Sequence, residues 1–222
     1  AGYQDGAPQG GAAPSDYYNM FAGMMYNGLM VEAIPVGQKE SPTPIFDQFD
    51  LIVASYDTMK PLNTLCNEEL EAYVENGGIL LLYSGPGKYE DLDTDLAWWK
   101  AAGFPSPQDE LLSRFGITTT GRTKDLRGNM TAVPGTLAES VGDILTSGSA
   151  MTGYDTIEGA SPLYMKGDKT VAFEKEVGNG HFIYMGVDPL AFGAVGMGDV
   201  QFKLTQEIAS RYLSKTIESK NY

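Results

Sequence analysis

The chain has 222 residues, with 15 Lys+Arg against 29 Asp+Glu and a formal charge of −14, and its 42% hydrophobic and 20% charged residues are the balance of a folded globular protein. That charge argues against nucleic-acid binding, because phosphate would be repelled, and no apolar run approaches the roughly 20 residues of a membrane span. A single cysteine, Cys66, excludes an internal disulfide and a multi-cysteine metal site, and a single histidine, His181, excludes a His-rich one.

Ala1–Pro14 is rich in glycine, proline and alanine. It is predicted to be an irregular lead, since glycine costs backbone entropy and proline lacks a donor. It shows neither the charged nor the apolar part of a signal peptide. The start at Ala1 fits a trimmed mature chain as well as an arbitrary boundary. Ser15 then caps a predicted helix in which Tyr17, Met20, Phe21, Met24 and Met25 recur at helical spacing and Gly28 closes the stripe. Leu29–Ile34 reads as a short strand, and Pro35, Pro42 and Pro44 mark a loop. Asp50–Tyr56 is a continuous apolar strand of the kind buried on both faces in a parallel sheet.

A helix is predicted over Asn67–Asn76, with Glu68 and Glu69 at its positive end and Leu70, Tyr73 and Val74 as its buried stripe. Gly77-Gly78 ends it, and Gly78–Tyr83 is the next buried strand. Asp95–Ala102 and Asp109–Phe115 look helical, with Gly116 stopping the second. Ile117–Thr120 reads as a strand, and Arg122–Ser149 has too little periodicity to assign. Thr170–Val177 and His181–Val187 flank Gly178-Asn179-Gly180, a hairpin signal. After the glycine-rich Gly186–Gly198, Asp199 caps a last helix with Val200, Leu204, Ile208 and Tyr212 on one face. With no repeat and no clean linker, the expected organisation is a lead over 1–14 and one α/β domain over 15–222. A doubly wound sheet begins with a central strand, and the lead cannot form one. That strand is therefore expected to be missing or supplied by another chain.

The segments Tyr17–Ile34, Phe49–Pro61, Asn67–Gly87, Asp109–Ile117 and Val171–Pro189 together resemble the class I glutamine amidotransferase-like superfamily, and in particular its non-catalytic branch, the trimerisation domain of family 42 β-galactosidases. Gly77–Leu82 and Glu176–Gly186 carry most of the likeness. The resemblance implies a flavodoxin-like or amidotransferase-like fold: a mostly parallel sheet with helices on both faces, then a C-terminal hairpin and helix. Active members place a cysteine nucleophile on the turn after the apolar strand and a His-Glu pair later. Here that turn is Ser84-Gly85-Pro86-Gly87, and the family's histidine position falls near Gly186–Pro189, which reads Gly-Val-Asp-Pro. Cys66 lies before the helix, where it reads as a small buried residue. The resemblance thus implies a chain that is not an enzyme.

Three functions remain open. The first is non-catalytic assembly of a homo-oligomer or polymer, with Tyr3, Gly10, Gly11 and Pro14 of the lead reaching a neighbouring subunit. An operation that does not close would then build a filament. An extracellular or cell-surface setting suits such a polymer, with the cytoplasm as the alternative. The second is binding of a carbohydrate or small polar ligand at strand C-termini by Asp57, Ser84, Gly85, Gly87 and Asp188. The third is hydrolysis by Ser84 with His181 as base and Asp188 behind it, although the first glycine of G-x-S-x-G is absent. His181 otherwise reads as a half-exposed strand residue. No cofactor is implied except Ca2+ at Asp91, Asp93 and Asp95. Leu96 and Ala102 at the sixth and twelfth positions exclude an EF-hand, which leaves an irregular site or a solvated acidic run. Trp98 and Trp99 follow on the predicted helix, where one can stack on a sugar and one is core. Asn129-Met130-Thr131 is a glycosylation sequon, relevant only to a secreted chain.

Overall fold

The two continuous apolar runs form adjacent parallel strands, β1 (Leu51–Ser55) and β2 (Ile79–Tyr83), paired from Leu51↔Ile79 to Ser55↔Tyr83. The computed structural model describes residues 30, 46–55, 67–83, 107–146, 151–187 and 198–213. A 3-10 turn (Phe46–Gln48) precedes β1, and helix α1 (Asn67–Glu75) lies between the two strands in sequence. Leu70, Tyr73 and Val74 are buried at i, i+3 and i+4, as the stripe predicts. The helix ends where Gly77 adopts φ 113°. Its N–H donates to the Val74 carbonyl at 3.0 Å, and that of Gly78 donates to Tyr73 at 2.9 Å. This double bond around a left-handed residue satisfies the last carbonyls and turns the chain straight into β2.

Helix α2 (Pro107–Arg114) is followed by strands β3 (Thr118–Thr120), β4 (Thr123–Leu126) and β5 (Asn129–Ala132), then helix α3 (Leu137–Val141) and strand β6 (Ile144–Leu145). The segment without readable periodicity therefore holds three strands and a short helix. Thr136 caps α3 by accepting from the Ala138 N–H at 3.2 Å. Strands β7 (Met151–Gly153), β8 (Thr156–Glu158), β9 (Ser161–Lys166), β10 (Lys169–Val177) and β11 (Gly180–Met185) come next. Helix α4 (Gly198–Ile208) then runs into a π-helical turn (Ala209–Leu213).

The expected flavodoxin-like or amidotransferase-like, mostly parallel sheet with helices on both faces is not what forms. The structure is dominated by strand, and its main sheet is mixed and curls into a half-barrel. The strand order is β1-β2-β11-β10-β9-β5-β6. Only β1–β2 and β2–β11 run parallel; the pairs from β11 to β6 are antiparallel. The physical reason is connection length. A parallel neighbour needs a crossover of a dozen residues or more, whereas two residues suffice for an antiparallel one. Two residues are all that separate β9 from β10, or β10 from β11. The predicted hairpin does form, from Val177↔Gly180 to Ala172↔Met185.

β2, second in the sheet, is fully buried: all five of its residues are at most 1% exposed. Its alternating side chains feed two apolar clusters. Leu80 and Leu82 join Phe173, Phe182, Tyr184, α1, Leu111 and Leu112 of α2, and Phe115 just after it. Ile79, Leu81 and Tyr83 join Ile183, Met185, Leu137 of α3, and Leu204 and Ile208 of α4. In the first cluster Phe173 stacks on Tyr184 at 4.6 Å and Phe115 on Phe182 at 4.6 Å.

Candidate functional site

Strand period places Glu174, Glu176 and His181 on one face at the hairpin end of the sheet. Glu176 is the direct cross-strand partner of His181, and Glu174 that of Ile183. α4 lays Leu204 and Ile208 on this same face. Four residues on, the π-helical turn delivers Tyr212 to the only histidine of the chain. Its ring stacks on His181 with centroids 3.7 Å apart and planes 24° apart. Its hydroxyl donates to Glu174 Oε2 at 2.9 Å. Lys175, one residue out of phase, donates from the other face to the Gly116 carbonyl at 2.9 Å. An open cleft of about 530 Å³ lies here, with Ser161, Glu174, Glu176 and His181 on its wall.

Burial, and then the Glu174 charge, push the Tyr212 hydroxyl well above the ordinary tyrosine value. A phenol held protonated in this way donates to Glu174 and does not act as a base. The cluster therefore fastens the last helical turn to the hairpin. Tyr73, raised by burial and the Asp50 charge, and Tyr164, raised by burial and the Asp143 charge, behave alike. The sign follows from linkage: a raised folded pKa gives stability that is whole below the unfolded value of 10.0 and is lost as pH rises past it. Denaturant midpoints should be flat to about pH 9 and fall above about pH 10, with tyrosinate absorbance from these three appearing only on unfolding. Tyr212→Phe should make that fall shallower by one proton.

The structure reaches few of the residues singled out in the sequence. Asp57, Ser84, Gly85, Gly87 and Asp188 lie outside the described residues, as do Asp91, Asp93 and Asp95, the lead residues Tyr3, Gly10, Gly11 and Pro14, Cys66, and Trp98 and Trp99. Asn129 is described: it opens β5, is exposed, and pairs through its backbone with Leu145. His181 is a half-buried strand residue level with Ile79, at the start of β11. Among the described residues no three His, Cys, Asp or Glu side chains gather as metal ligands, and no helix is long and apolar enough to cross a membrane. Sequence reasoning missed the meeting of His181, Tyr212 and Glu174. The signal was present in part, since Tyr212 continues the Leu204–Ile208 stripe and the hairpin register sets Glu176 against His181.

No family model matches the chain, and no curated protein does. Among solved structures it is similar to a cytoplasmic protein from Salmonella typhimurium, with TM-score 0.55 and 13% identity over 86% of this chain and 85% of that one. It is also similar to a β-galactosidase from Bacillus circulans sp. alkalophilus, with TM-score 0.52 and 12% identity over 89% of this chain and 27% of that one. A GH42 β-galactosidase from G. stearothermophilus gives TM-score 0.51 and 15% identity over 95% of this chain and 27% of that one. At such identities the likeness is one of fold: the chain shares a β-galactosidase-related fold and spans about a quarter of the length of those enzymes.

Proposed function

We propose that this chain is a non-catalytic assembly module that joins subunits through the edge of its sheet. The observation that carries this reading is the character of β1. Among the described residues β1 is the terminal strand of the main sheet. Yet its side chains are apolar on both faces: Ile52 and Ala54 belong to one core cluster, and Leu51 and Val53 pack on the other. A strand of this composition belongs inside a sheet, and a long apolar edge recruits another strand. Pairing through the main chain, with pockets for alternate side chains, gives a tight joint. The β-galactosidase-related fold supports a role beside carbohydrate-active subunits, with no catalytic part for this chain.

Amide hydrogen exchange tests this reading. The Leu51–Ser55 amides should be protected at high protein concentration and exchange faster on dilution, while β2 amides stay protected throughout. Protection of β1 that is independent of concentration contradicts assembly through this edge.

A further inference from the structure

The register of β1 on β2 fixes which of its backbone groups are already used. The Ile79 N–H donates to the Asp50 carbonyl at 3.2 Å, and Leu51 is level with Ile79. In a parallel ladder every second residue turns both its N–H and its C=O to the same neighbour. Asp50, Ile52 and Ala54 therefore turn theirs to β2, and Leu51, Val53 and Ser55 turn theirs to the open side. Among the described residues no strand pairs with that side. The other terminal strand of the sheet, β6, has only two residues, and so short a strand is a poor edge for pairing.

The open groups are centred on Val53 and match themselves across a two-fold axis. In an antiparallel ladder, opposed residues exchange both bonds only when both turn their groups to the shared side. A second copy of β1 meets this condition with Val53 opposite Val53 and Leu51 opposite Ser55. The two faces are kept as well. Val53 packs on the α4 side of the sheet, and Ile52 and Ala54 on the α1 side. Val53 then meets Val53 on one face and Ile52 meets Ala54 on the other, which are favourable cross-strand pairs. Parallel pairing of the same two strands needs an offset of one residue, and that sets the α1 side of one copy against the α4 side of the other. Charge permits the joint. β1 itself has no charged residue, although each chain carries −14. The two Asp50 carboxylates fall at opposite ends of the ladder, about 20 Å apart at roughly 3.3 Å per residue. That exceeds the screening length of about 8 Å at physiological salt.

We infer that two copies of this chain join by antiparallel pairing of their β1 strands across a two-fold axis at Val53, so that one sheet runs through both. This rests on the assembly reading and names its partner and its symmetry. The contact is isologous: each copy offers the same edge, both edges are consumed, and the assembly closes as a dimer.

The test combines native mass by light scattering with two substitutions, each checked by thermal melting to be folded. Val53→Pro removes an N–H that β2 does not use, and proline is tolerated on an edge strand whose N–H faces outward. It should leave the chain folded and weaken association roughly tenfold or more, because both central bonds of the joint lose their donor. Val53→Cys, combined with Cys66→Ser, places two thiols at the axis. Hydrogen-bonded antiparallel partners stand about 5.5 Å apart at Cα, within disulfide reach, so mild oxidation should make the dimer covalent. The expected result is a native mass of twice 23.9 kDa with both effects; if Val53→Pro does not fold, the cross-link alone decides. An oligomer that Val53→Pro leaves intact, or that forms no such cross-link, overturns the two-fold joint and leaves assembly standing. A monomer of the unsubstituted chain at every concentration overturns assembly as well.

Discussion

Gly180→Ala is expected to lower the unfolding free energy by about 3 kcal/mol, the upper part of the range for overpacking a close-packed site. A Cβ at Gly180 would lie 2.2 Å from the carbonyl oxygens of both Val74 and Gly78. Neither oxygen can easily retreat. The Val74 carbonyl accepts the Gly77 N–H that closes α1, and the Gly78 carbonyl accepts the His181 N–H at 3.2 Å. The substitution would thus push apart the helix end, the start of β2 and the hairpin, three parts that its Cβ would wedge between. Gly135→Ala is the reference: φ is 79° there and nothing lies within 4 Å, so only the left-handed backbone costs, about 1–2 kcal/mol. Urea unfolding of both variants checks this. Equal losses would mean that the joint is looser than these distances state.

Phe173→Ala should cost about 4 kcal/mol. Phe173 is fully buried, stacks on Tyr184 at 4.6 Å and meets Tyr154 edge-on at 6.3 Å. Removing it empties the middle of the aromatic layer beneath β10 and β11, where the neighbours are themselves rings that cannot collapse into the space. Urea unfolding followed by tyrosine fluorescence and near-ultraviolet dichroism reads both the loss and the loosened rings. A cost below about 1.5 kcal/mol, the scale of a single methylene deletion, would contradict this packing.

What could be read in the sequence was what repeats locally. β1, β2 and the α1 stripe follow from apolar runs and helical spacing, and the Gly77-Gly78 joint and the hairpin turn follow from backbone conformations that glycine supplies. The parallel β1–β2 pair was also legible, because a helix of the right length separates the strands. The architecture beyond them was not. Extending that early alternation suggested a parallel sheet, while the second half of the chain builds its sheet from short antiparallel strands. β3 is exposed, part-buried and exposed along Thr118–Thr120, and β6 has two residues, too few to show a period. β9 is masked by Pro162, which argues against a strand, and its pairing with β10 is irregular near Ala172. Lys166-Gly167-Asp168-Lys169 carries the turn signal that joins β9 to β10. Helical spacing put Tyr212 on the Leu204–Ile208 face, but the π-helical turn after Ile208 that carries it against His181 has no signal in that spacing.

The most direct test of assembly is the native mass of the full chain by light scattering across a hundredfold range of concentration, beside the same chain lacking Ala1–Pro14. The account predicts a discrete multiple of 23.9 kDa, or a growing polymer, for the full chain, and weaker association without the lead. A monomer of 23.9 kDa at every concentration in both forms would contradict it.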